Sequence, residues 1–123
     1  MSYLECGFEK LSDLNTKRAG EQYHDIDAWS PMQWGCAAAG EMGELCNAVK
    51  KLERGRPEDL EHIDALVENI GEEAADVIIY LDLLLKRVNQ IQSLHGLDEL
   101  DLKRCVRDKF NKTSDKIGSK VTW

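Results

Sequence analysis

Two pairs of carboxylates three residues apart are the residues in this chain best placed to do chemistry. The first is Glu41 and Glu44, in the run Gly40-Glu41-Met42-Gly43-Glu44-Leu45. The second is Glu73 and Asp76, in Glu72-Glu73-Ala74-Ala75-Asp76-Val77, thirty-two residues further on. On a helix, positions i and i+3 share a face, so each pair presents two acids side by side. Each acid is followed at once by an apolar residue of the helix seam, which puts the pairs on the flank of the core stripe. If the two helices form a hairpin, four carboxylates meet at one level. Like charges held beside a core are costly, and hard divalent cations are the partners that offset the cost: Mg²⁺ takes carboxylates, water and substrate phosphates as ligands. Gly43 inside a helix costs about 1 kcal/mol relative to alanine. With Gly40 and Ala37-Ala38-Ala39 it leaves bare space for a ligand or a close helix.

Helices must position these acids. The 123 residues suit a single domain, with only two prolines and 7% aromatics. Scaling gives roughly 6,700 Å² of folded surface, about two thirds of the chain's area being buried. Leu4, Phe8, Leu11 and Leu14 recur at helical spacing, predicting a helix from Tyr3 to about Ala19, then an arm from Gly20 to Ser30. Ser30-Pro31 reads as an N-cap with proline at the first helical position. The helix it opens runs to Arg54, where Gly55 stops it. Its seam is Ala38, Met42, Leu45, Val49 and Leu52. A third helical run begins near Glu58, with a seam from Ile63 through Val67, Ile70, Ala74, Val77, Leu81, Leu84 and Val88 to Ile91. Unbroken it would extend ~50 Å, so a break before about Leu66, or an oligomer covering the excess, is expected. Ser93 to Gly96 ends it. Leu97 to about Ile117 is the last helix, with Leu100, Cys105, Val106 and Phe110 as core candidates. The expected fold is all-α: residues 1–30 form a helix and arm, 31–92 the acid-bearing hairpin, and 97–117 a basic helix, all in one domain.

Composition narrows the partners. Sixteen basic against 23 acidic residues leave a net charge of −7. That argues against a nucleic-acid polymer, which needs a basic face, and against an anionic membrane surface. No apolar stretch approaches the length of a membrane span, and the N-terminus lacks the pattern of a signal peptide. Cys6, Cys36, Cys46 and Cys105 form no C-x-x-C pair and read as reduced, mostly buried thiols of a cytoplasmic protein.

Glu41-x-x-Glu44 followed by Glu73-x-x-Asp76 resembles the E-x-x-E…E-x-x-D signature of the MazG-like, all-α nucleoside triphosphate pyrophosphatases. The tail Lys109-Phe110-Asn111-Lys112-Thr113-Ser114-Asp115-Lys116 is similar to a segment of several such proteins, and the likeness covers roughly residues 21–116. The resemblance implies that Glu41, Glu44, Glu73 and Asp76 bind Mg²⁺, with Mn²⁺ as a substitute. It implies cleavage of an NTP or dNTP between the α- and β-phosphates, giving a monophosphate and pyrophosphate. One of the glutamates, or the adjacent Glu72, would serve as the base for water. It favours Lys109 and Lys112 as phosphate contacts, although lysines on a last helical turn also suit the helix dipole. Some relatives carry asparagine where Thr113 stands. Tyr80, one turn beyond Asp76, is either a core residue or a nucleotide contact, and Trp34 either packs in the core or stacks on a base. Glu21-Gln22-Tyr23-His24 resembles a segment near the base pocket of dCTP-hydrolysing relatives, which makes His24 a substrate candidate. A homodimer or homotetramer is implied as well.

Three other readings stand beside this one. Glu21-x-x-His24 matches half of a di-iron motif, but His62 and His95 supply no second half. The long third helix suits an oligomerisation module without catalysis. A family member that binds nucleotides without cutting them is the third.

Overall fold

The computed structural model describes residues 8–22 and 25–123. All regular structure among them is helical: α1 (Phe8–Gln22), a single 3₁₀ turn (Ile26–Ala28), α2 (Pro31–Arg54), the one-turn α3 (Pro57–Leu60), α4 (Ile63–Gln92), a second 3₁₀ turn (Ser93–His95) and α5 (Leu102–Ile117). No helix among the described residues is long and apolar enough to cross a membrane.

Local chemistry sets the ends of α2. The Ser30 hydroxyl accepts from the Gln33 amide at 3.2 Å, and the Gln33 side chain accepts from the Ser30 amide at 2.8 Å. This capping box satisfies two backbone donors that a helix start otherwise leaves unpaired. At the far end Gly55 adopts φ +63° and donates to the Lys51 carbonyl, a left-handed stop that glycine adopts without strain. The break expected before Leu66 falls at Glu61-His62, after α3, whose Asp59 pairs with Arg54 at 3.2 Å.

α2 and α4 pack along each other as an antiparallel pair. Glu41 faces Glu73 and Asp76, Trp34 lies beside Tyr80, and the Trp29 carbonyl accepts from Arg87 Nε at 2.8 Å. The core sits where α1 and the first 3₁₀ turn close over this pair: Ala19, Ile26, Trp34 and Leu83 are buried, with Trp29, Ile79, Tyr80 and Leu84 packed around them. The Trp34 ring lies 4.7 Å from that of Trp29, and its indole N–H donates to the Ile26 carbonyl at 2.9 Å. Trp34 is therefore a core residue.

Several expectations need correction. α1 continues to Gln22 instead of ending at Ala19, because Ala19 is held in the core and the turn containing Gly20 stays helical. It docks through buried Asn15 and Ala19, while Leu14 is 62% exposed. Leu4 and Cys6 lie outside the described residues. The last helix begins at Leu102, five residues later than the spacing suggests. Buried Asn89 at the end of α4 accepts from the Leu100 amide at 2.7 Å and donates to its carbonyl at 2.8 Å. Gln92 donates to the Asp98 carbonyl. With these backbone groups taken, the segment cannot enter a helix before Asp101. Val106 and Phe110 are exposed in place of buried, Phe110 meeting the Trp123 ring edge-on at 6.3 Å. Cys36 and Cys46 are free thiols on exposed positions of α2, so they are not core residues.

The heptad seam is only partly interior. Met42, Ile63, Val67 and Ala74 face out, whereas Glu41, Glu73 and Asp76 are half-buried. A helix packed on one neighbour hides one face, and in the lower half of α4 the hidden face carries the acids.

Candidate metal centre

Glu41 on α2 and Glu73 and Asp76 on α4 each offer a carboxylate oxygen within 4.8 Å of the other two. It is the only such grouping of acidic, histidine or cysteine ligands among the described residues. The i, i+3 spacing stacks Glu73 and Asp76 on one face of α4, and the antiparallel register sets Glu41 opposite. Glu44 is exposed and stands outside the tight trio, yet it adjoins two of its members. Burial raises the Glu41 carboxyl above the ordinary glutamate range, helped by the charges of Glu44 and Asp76 and by a side-chain hydrogen bond with Glu44. Burial likewise raises Glu73, followed by the charge and hydrogen bond of Glu44 and the charges of Glu41 and Asp76. All four acids thus meet, with three at ligand distance. One oxygen of Glu73, Oε2, is shut off from solvent with no hydrogen-bond partner.

Chemically this is a set of hard oxygen donors. A buried anionic oxygen left unpaired is costly, and a divalent cation removes both that cost and the mutual repulsion. Mg²⁺ holds oxygens at about 2.1 Å, so its ligands stand no more than about 4.2 Å apart; the trio's oxygens lie within 4.8 Å of one another, close to that span. Gly40 and Gly43 keep the neighbouring surface of α2 open, since a Cβ at either would touch nothing within 4 Å.

Proton linkage follows with a definite sign. A carboxyl whose folded value is raised keeps a proton that the unfolded chain has already lost. The stability contributed by Glu41 and Glu73 is therefore present at acid pH and lost as pH rises through their folded values. Cation and proton compete for the same oxygens, so metal affinity moves the other way. The gain in melting temperature on adding MgCl₂ is expected to be small near pH 5 and larger at pH 7.5, measured against the same protein in EDTA. A gain independent of pH would contradict competition at these carboxyls.

The other sequence candidates fall in different places. Glu72 is exposed and stands outside the cluster. Tyr80 is half-buried, its ring 6.1 Å from that of Trp34, and it lines a cavity with Asp76. Lys109 lines a separate groove formed by α5 and the C-terminal tail, to which no member of the acid cluster contributes. Lys112 is exposed. Within one chain, neither lysine is brought to the acids. His24 lies outside the described residues. The residues that sequence reasoning missed are Asn15 and Arg18 of α1, which share the cavity beside Asp76. Polar residues three apart on a surface helix are too ordinary to signal this.

No protein-family model, curated protein or solved structure matches this chain.

Proposed function

We propose that the chain is a MazG-like, Mg²⁺-dependent pyrophosphohydrolase that cuts a nucleoside triphosphate between its α- and β-phosphates, releasing a monophosphate and pyrophosphate. The observation that carries this reading is the trio Glu41, Glu73 and Asp76, on two facing helices and holding an unpartnered buried carboxylate oxygen. Glu41, Glu73 and Asp76 would hold the cation, with Glu44 beside them. Bound there, Mg²⁺ supplies charge neutralisation for a polyphosphate. The chain's own part is to fix those oxygens on two rigid helices, keep one side open at Gly40 and Gly43, and take a proton from water. Glu44 suits that last role: it is exposed and adjoins Glu41 and Glu73. Without the cation, an acidic site repels a triphosphate. The deciding experiment is product analysis by ³¹P NMR over a panel of NTPs and dNTPs, with Mg²⁺ and with EDTA. Monophosphate plus pyrophosphate, formed only with metal, is the expected result; orthophosphate as the first product, or equal rates in EDTA, would overturn the reading. A cytoplasmic site of action belongs to the same proposal.

The working unit in this reading is a homo-oligomer. The chain exposes 9066 Å², against roughly 6,700 Å² for a compact monomer of its size. The surplus of about 2,400 Å² matches what an extensive interface buries. Met42, Leu52, Ile63 and Val67 on the hairpin and Val106 and Phe110 on α5 are among the large apolar side chains left in water. Light scattering at micromolar concentration is expected to give two or four times the chain mass, with Val67→Asp shifting it towards monomer. A wild-type monomer would refute the assembly.

A further inference from the structure

Beside the acid cluster lies a cavity of about 280 Å³ between α1 and α4, lined by Asn15, Arg18, Asp76, Ile79, Tyr80 and Leu83. Asp76 belongs to both, so the cavity and the acid cluster are contiguous. The volume lies at the lower end for small-molecule pockets, which run from about 300 Å³ upward. It suits a base with its sugar and leaves the phosphates outside, at the acids. Its described walls are the Tyr80 ring, the aliphatic Ala19, Ile79 and Leu83, and, besides Asp76, the polar Asn15 and Arg18. Of these polar groups, Asn15 has both its donors engaged: its amide nitrogen donates to the Ile79 carbonyl at 3.2 Å and to Asp82 Oδ2 at 3.1 Å. These bonds tie α1 to α4 and fix the helix that carries Arg18, three residues on and therefore on the same face. Arg18 makes no hydrogen bond or ion pair with any described residue. Among the described residues it is the one cation on the cavity wall.

A guanidinium donates through a rigid fork and accepts nothing. It pairs with two adjacent acceptors, such as O6 and N7 of guanine, and leaves an amino group unmatched. We infer that Arg18 is a specificity-determining residue that selects oxo bases, guanine first, over the amino bases adenine and cytosine. This inference rests on the nucleotide reading of the acid cluster, and it adds the base.

The test measures kcat/KM for GTP, UTP, ATP and CTP in the wild type, Arg18→Ala and Arg18→Lys, with helicity checked by circular dichroism. The wild type is expected to favour GTP over ATP by about tenfold or more, the discrimination of a bidentate arginine–guanine pair. Arg18→Ala removes that preference chiefly by losing GTP activity, and Arg18→Lys, which keeps the charge but not the fork, restores only part of it. An equal loss for all four nucleotides would place Arg18 on the phosphates and overturn the inference, as would unchanged ratios. Saturation-transfer NMR with guanosine and adenosine in EDTA provides a readout free of catalysis: guanosine binding that Arg18→Ala abolishes is expected. No preference between the two nucleosides sinks the base assignment even if turnover is confirmed. Absence of turnover across the panel, with guanosine still bound through Arg18, would sink only the hydrolase reading.

Discussion

Replacing Glu73 with glutamine is expected to cut turnover by about a thousandfold and, in the same protein without metal, to raise the melting temperature. The two effects share one cause. Glu73 carries the buried oxygen without a partner, and its carboxyl is raised by burial and by the charges of Glu44, Glu41 and Asp76. In EDTA that arrangement is a liability, and the neutral amide of nearly equal size relieves it. On the proposed reading, Mg²⁺ turns that liability into the site. A cation's electrostatic stabilisation of a phosphoryl transition state is worth several kcal/mol, and each 1.4 kcal/mol or so is tenfold in rate. Stability and activity therefore change in opposite directions, as expected where function keeps a strained group in place. Kinetics with MgCl₂ and melting curves in EDTA measure the two halves separately. Full turnover would remove Glu73 from the site. A lower melting temperature in EDTA would show that its carboxylate has a stabilising partner after all.

Trp34→Ala carries the largest expected effect on the fold. Trp34 has no exposed surface and is the largest fully buried side chain. It joins α2 to Ile26, Trp29 and Tyr80, and so to the segment through which α1 closes over the hairpin. Truncating a buried tryptophan costs about 3–5 kcal/mol, and the stranded Ile26 carbonyl adds to it. A domain of this size has about 5–15 kcal/mol in total, so the urea midpoint followed by circular dichroism should fall by about a fifth or more. Trp34→Phe keeps most of the volume and loses the indole hydrogen bond, so its fall should be smaller. Turnover of Trp34→Phe is expected to remain near wild type, because a wholly buried ring cannot stack on a substrate base. An unchanged midpoint in Trp34→Ala would contradict the core assignment, and a base-selective loss of activity in Trp34→Phe would return the ring to the substrate.

The signals written in local chemistry were legible in the sequence: Ser30-Pro31 and Gly55 bound α2 where expected, and two matched i, i+3 acid pairs converge on facing helices. What was not legible depended on contacts between segments. The heptad seam of α4 predicts one continuous buried stripe, yet a single neighbouring helix hides the side bearing Glu73 and Asp76 and leaves Val67 and Ala74 outside. The late start of α5 comes from Asn89 and Gln92, whose hydrogen bonds reach six to eleven residues ahead, a distance no helix-start rule covers. The α1 dock turns on Asn15 meeting Asp82, sixty-seven positions away, which no local pattern announces.

The antiparallel setting of the acids also makes the site a vernier. Sliding α2 by one turn along α4 displaces Glu41 by about 5.4 Å, more than the 4.8 Å that now spans the trio. On the proposed reading, affinity for a cation is thus a readout of helix register, and any change that alters where α2 starts or stops is felt at the carboxylates. Ser30, Gln33 and Gly55 touch no ligand, yet they set the zero of that scale, so mutations at the two ends of α2 can silence the centre while leaving every acid in the sequence.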